Sequence, residues 1–75
     1  VRTLIIDLFK AQNTAPKAVF QAATDLVETC RIVGYVREFD DHVATIRWPF
    51  AGPAQEKYDV LVDQGMPKGC MKLTK

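Results

Sequence analysis

Seventy-five residues make one domain and leave no space for a second. With 48% apolar and 25% charged residues the composition is ordinary for a globular protein, and a net charge of +1 supplies no global field that would select nucleic acid. No apolar run approaches the roughly 20 residues a membrane-spanning helix needs, so the expectation is a cytoplasmic protein with no membrane partner and a core small enough to lean on a staple or a partner.

Residues 1–9, VRTLIIDLF, are apolar on nearly every side, and a run this short has no decisive period. As a strand it would be a buried central one in which Asp7 needs a partner. As a helix it forms a stripe of Leu4, Ile5, Leu8 and Phe9, with Asp7 beside Lys10 on an exposed flank. The helix is the preferred reading. Asn13-Thr14-Ala15-Pro16 is a break and restart: Asn13 or Thr14 is placed to cap a helix beginning near Pro16. That helix is predicted to reach about Cys30. Val19, Ala22, Ala23, Leu26, Val27 and Cys30 recur at helical spacing, and Lys17, Gln21, Thr24, Asp25 and Glu28 fall opposite.

Arg31 to Phe50, RIVGYVREFDDHVATIRWPF, reads as two β-strands joined by a tight acidic turn. A two-residue loop at Asp40-Asp41 pairs Phe39 with His42, Tyr35 with Ile46 and Val33 with Trp48. Val33, Tyr35, Arg37, Phe39, Ala44, Ile46, Trp48 and Phe50 then share one face, the expected core face, with Arg37 as its misfit. Ile32, Gly34, Val36, Glu38, Val43, Thr45, Arg47 and Pro49 share the other. Gly34 marks a weak spot or a bulge in the first strand.

Ala51-Gly52-Pro53 ends the second strand. In residues 54–64 Ala54 to Lys57 suit a helix start, whereas Tyr58, Val60 and Val62 alternate as in a strand. A short helix, or a helical turn leading into a strand, is expected. Residues 66–75, with Lys68, Lys72 and Lys75 and no acid, are expected to be a flexible basic tail beyond a domain of residues 1–65. The fold class is therefore α+β: an amphipathic helix on an antiparallel hairpin, with one further N-terminal helix or strand.

The chemistry this sequence lacks points away from an enzyme. Its one histidine, His42, sits at the turn beside two acids, and three adjacent residues cannot close a tetrahedral metal site. Cys30 on the apolar stripe reads as core filler, and a single bridge to Cys70 would tie the tail to the helix end. No phosphate-cradling glycine loop or nucleophile elbow occurs, and no cofactor is implied.

What remains is recognition. The leading expectation is a small non-enzymatic regulatory or adaptor protein that binds a larger protein, with the transcription or replication machinery as the guess for that partner. Ile32, Val36, Glu38, Val43, Thr45 and Arg47 would form the docking surface, or a hairpin edge would accept a partner strand. The alternative is a nucleic-acid regulator: two helices and a hairpin resemble the end of a winged helix-turn-helix domain, which implies that Arg31, Arg37 and Arg47 contact phosphates. Against this, Asp25, Glu28 and the acidic wing tip would face a polyanion.

Overall fold

The apolar run near the N-terminus is a strand, and a computed structural model describing residues 1–74 places it inside a sheet. Thr3–Asp7 form β1, and Leu4 and Ile6 are completely buried. The helix expected there starts only at Leu8, giving α1, Leu8–Thr14. Asp7 makes the changeover: its carboxylate accepts a hydrogen bond from the Lys10 backbone N–H at 3.0 Å and so caps the helix. The Asp7–Lys10 spacing that favoured a helix is real, but it serves the first turn of a helix that follows the strand.

Asn13 and Thr14 close α1 instead of capping the next helix. Their side chains donate back to the carbonyls of Phe9 at 3.2 Å and Lys10 at 2.7 Å. The second helix, α2, is Lys17–Ile32, preceded by Pro16. Its buried stripe is Val19, Ala23, Val27 and Cys30, with Ala22 and Leu26 half-buried beside it. It runs past Cys30 because Gly34, at φ +87°, supplies the left-handed residue that ends it. The Tyr35 N–H reaches the Cys30 carbonyl at 2.8 Å and the Gly34 N–H reaches that of Arg31 at 3.1 Å, a Schellman closure. Gly34 is thus a helix stop and not a strand defect. Ile32 and Val33, read as strand residues, end the helix and stand 77% and 55% exposed.

The hairpin is formed by β2, Val36–Asp40, and β3, Val43–Arg47. Its loop is Asp41-His42, one residue later than expected, with φ of +51° and +66°. Positive φ at both loop positions matches the twist of the flanking strands, and Asp and His tolerate it better than most residues. Asp40 then pairs with Val43, Phe39 with Ala44 and Glu38 with Thr45, before a bulge at Arg37 resets the register to Val36 opposite Ile46. The predicted pairs Phe39–His42, Tyr35–Ile46 and Val33–Trp48 are replaced. Tyr35 lies beside Trp48, with ring centroids 6.4 Å apart. Ala44, Ile46 and Trp48 are buried as expected and Tyr35 half so. Val33, Arg37, Phe39 and Phe50 are exposed, and Val36 turns to the core side because the bulge switches the alternation.

Residues 54–64 are helical throughout. Pro53–Gln64 form α3, with proline in the first turn. Gly65, at φ +115°, closes it as Gly34 closes α2: Met66 N–H bonds to Leu61 and Gly65 N–H to Val62. As far as Thr74 the following segment is no flexible tail, and Lys75 lies outside the described residues. After a 3-10 turn at Lys68–Cys70, Met71–Thr74 form β4, antiparallel to β1, and Met66, Cys70 and Met71 are buried. The apolar residues between its lysines supply the reason.

The strand order is β2-β3-β1-β4, every neighbouring pair antiparallel. The order of elements, with α1 and α2 in one crossover and α3 in the other, is a split β-α-β arrangement. Leu4, Ile6, Ala44, Ile46, Met71 and Leu73 meet the buried helix residues in one cluster, so the helices cover one face of the sheet. The protein is an α+β fold of three helices and a four-stranded antiparallel sheet among the described residues. Cys30 and Cys70 are both free and buried.

Two stability measurements test this core. Trp48→Ala should lower the unfolding free energy by about 3–5 kcal/mol in urea denaturation, since Trp48 is only 5% exposed. Truncation after Cys70 should abolish cooperative unfolding, because it removes one of the two strands bonded to β1. A truncated chain with an unchanged transition would mean that β4 contributes nothing.

Candidate functional site

Two surfaces remain once the core is accounted for. The first is the face of the sheet that carries no helix. Alternation puts Thr3, Ile5 and Asp7 of β1 on it, opposite the buried Leu4 and Ile6. The registers align Thr3 with Arg47 and Thr74, Ile5 with Thr45 and Lys72, and Asp7 with Val43. From β2, Glu38 adjoins Thr45 and Asp40 adjoins Val43. The centre of this face is therefore small and β-branched: Ile5, Val43 and Thr45 are half-buried, and Thr3 beside them is buried. Of its acids, Asp7 and Asp40 lie toward the hairpin turn. Of its bases, Arg47 lies toward the other end, and Lys72 lies on the β4 edge, on the same rung as Glu38. No strand position on this face is aromatic.

The second surface is a groove between α2 and α3, with a volume of about 490 Å³. It exists because α2 is apolar over more than its core stripe. Ala22, Leu26 and Val33 continue a second row beside Val19, Ala23, Val27 and Cys30, and this row faces the groove. Leu61 and Val60 line the α3 side, and Tyr35 and Trp48 also contribute walls. The charged lining residues are Asp25, exposed on α2, and Lys57, half-buried on α3. Asp25 accepts a hydrogen bond from Gln21 Nε2 at 3.1 Å. Lys57 makes no ion pair or side-chain hydrogen bond with any described residue. Cys30 also lines the groove; burial pushes its thiol pKa up, and the nearby positive charge of Lys57 works against that rise.

Of the residues read from sequence as a protein-docking surface, the structure gathers Glu38, Val43, Thr45 and Arg47 on the helix-free face. Val36 has moved to the core side across the bulge, and Ile32 is at the end of α2. The arginines of the nucleic-acid alternative do not converge. Arg31 is in the last turn of α2, bonded to Glu28 at 2.7 Å; Arg37 is the bulge residue of an edge strand; Arg47 is on the helix-free face. Among the described residues no group of three or more His, Cys, Asp or Glu side chains is placed to hold a metal ion. His42 stacks on Phe9, ring centroids 6.3 Å apart, and its carbonyl accepts from the Leu8 N–H at 2.8 Å, tying the hairpin turn to α1. No helix is long and apolar enough to cross a membrane among the described residues.

The groove escaped sequence reasoning. Ala22 and Leu26 were legible as part of an apolar stripe, but only the placement of α3 shows that they face a gap instead of the sheet. Compared with protein families, with curated proteins and with solved structures, the chain shows no significant match.

The Cys30 environment makes a prediction. A buried thiol with a raised pKa stays protonated, so its contribution to stability is present below the unfolded-state pKa and is lost as pH rises beyond it. Alkylation of Cys30 by iodoacetamide, followed by peptide mass spectrometry, should be much slower in the folded than in the unfolded chain at about pH 8, accelerating only above the ordinary value of 9.0. Lys57→Met should slow it further. Equal rates in folded and unfolded chains would contradict this picture.

Proposed function

We propose that this chain is a small non-enzymatic binding module, regulatory or adaptor in role, that docks a larger protein on the helix-free face of its sheet. The observation that carries the reading is the layout of that face. A flat centre of Ile5, Val43 and Thr45 is bordered by Asp7 and Asp40 at one end and Arg47 at the other, with Glu38 and Lys72 at opposite edges of the middle rung. An apolar to weakly polar centre with a charged rim is the usual anatomy of a protein interface. The separation of charge gives a partner one favoured orientation and speeds its approach.

The nucleic-acid reading has less support. A four-stranded sheet that reads single-stranded RNA does so with exposed aromatic rings that stack on bases, and the strand positions here offer β-branched and charged side chains instead. Duplex binding through the hairpin needs its arginines on one surface, whereas they are spread over a helix end, an edge and a face.

The experiment is affinity capture from nuclease-treated lysate of the source cells, run in parallel with wild type, Thr45→Arg and Arg47→Glu, with folding checked by thermal denaturation. The expected result is one protein retained in stoichiometric amount by the wild type and lost with both folded variants. Equal recovery by all three would remove the sheet face from the interaction. Submicromolar DNA binding that weakens steeply with salt would replace this reading with the alternative.

A further inference from the structure

The α2–α3 groove lies on the helical side of the molecule, away from the proposed docking face, and its chemistry is specific enough to suggest an occupant. Ligand sites are typically clefts of about 300–1,000 Å³, mostly apolar with a few polar groups that fix orientation. This groove, at about 490 Å³, has that character. Of its two charged lining residues, Asp25 is hydrogen-bonded to Gln21, whereas Lys57 has no side-chain hydrogen bond or ion pair with a described residue. Lys57 follows Ala54 by three residues and precedes Leu61 by four, so it stands in the inward stripe of α3 and is held half-buried. A lysine at such a position can extend toward solvent along its stem, and both Lys57 and Cys30 line the groove, with the lysine charge near enough to oppose the rise in the thiol pKa. The opposing carboxylate, Asp25, is exposed and hydrogen-bonded to Gln21.

We propose that the groove is a binding site for a small amphipathic monocarboxylate, an alkyl or aryl acid, whose carboxylate meets the Lys57 ammonium while its apolar body lies along Leu26, Leu61 and Trp48. An ammonium ion and a carboxylate attract and hydrogen-bond, and the attraction strengthens as an occupant of the groove displaces water from around them. The apolar walls add the transfer of the hydrocarbon part out of water. Asp25 on the other rim sets a limit, since a second carboxylate on the ligand would approach a like charge. The site thus selects monocarboxylates over dicarboxylates of the same length.

Trp48 is the sole tryptophan and lines the groove, so its fluorescence is a direct probe. The full chain is titrated with octanoate, octylammonium, 1-octanol and octanedioate, each below its aggregation concentration, and the site is mapped by amide chemical shifts. The expected result is saturable octanoate binding that shifts amides in residues 22–33 and 57–64, with the other three ligands weaker by about tenfold. Lys57→Met, which keeps the aliphatic stem, should remove the octanoate advantage and leave 1-octanol unchanged. Ala22→Phe, filling the groove from its half-buried rim, should weaken octanoate and 1-octanol alike, with folding of both variants confirmed by the same spectra. Octanoate binding no tighter than 1-octanol, an unaltered preference in Lys57→Met, shifts mapping to another surface, or no saturable binding would each overturn the proposal.

Discussion

The structure depends on β1 being bonded on both sides. A strand in the middle of a sheet has its N–H and C=O groups satisfied by two neighbours, so it can be buried at little polar cost. Here those neighbours are β3 and β4, which come from distant parts of the chain. Leu4 and Ile6 on β1, with Ile46 on β3, are fully buried, and burying each such side chain contributes about 1.5–3 kcal/mol. In a domain with so few core residues, that is a large share of the apolar driving force. It also explains why the C-terminal segment must be ordered: without β4 one side of β1 would lose its partner.

Placing β1 in the centre also decides which surfaces are left for recognition. The two crossovers put all three helices on one side, leaving the other side of the sheet bare. On the helical side the fit is incomplete, because the half-buried row of α2 is wider than the sheet beneath it can cover and α3 meets it with a lysine between apolar residues. A leucine at position 57 would be expected to help close the gap. Lys57 places a charged side chain in the lining instead.

The sequence was legible where one element carried its own signal. The amphipathic stripe of α2, the proline and glycine breaks, and a hairpin near Asp40-Asp41 could all be read locally. It was less legible where a tertiary partner decides. Residues 1–9 suit either helix or strand in isolation, and only the presence of β3 and β4 selects the strand. Met71–Thr74 is too short to declare itself, and Lys72 between them masked Met71 and Leu73, two apolar residues that face the core. The hairpin register failed for a different reason. The loop falls one residue later than expected, which replaces the Phe39–His42 pair, and one extra residue at Arg37 switches the alternation, so Val36 cannot be assigned to a face by counting back from the turn. Within the candidate sites, four of the six residues proposed for docking did fall on one face, because β3 alternates without interruption. The groove had no signature, since it is defined by two helices separated by a hairpin.

The same bulge bears on how a partner can approach. An open sheet invites recognition either on its face or along its edge by an added strand. The outer edges are β2 and β4. β2 is interrupted at Arg37 and carries Glu38 and Asp40, so an incoming strand would lose register after a few residues and meet acidic side chains. β4 has four residues. Both edges bear the features by which sheets resist edge-to-edge pairing: shortness, a bulge and charge. The centre of the face has none of these defences. Its β3 and β1 positions run in unbroken register, its central side chains are short, and its charges lie at its border. If the sheet recognises another protein, the geometry favours contact through side chains on the face over backbone pairing at an edge. Such an interface should therefore respond to Thr45 and Arg47 far more than to proline substitutions along β2.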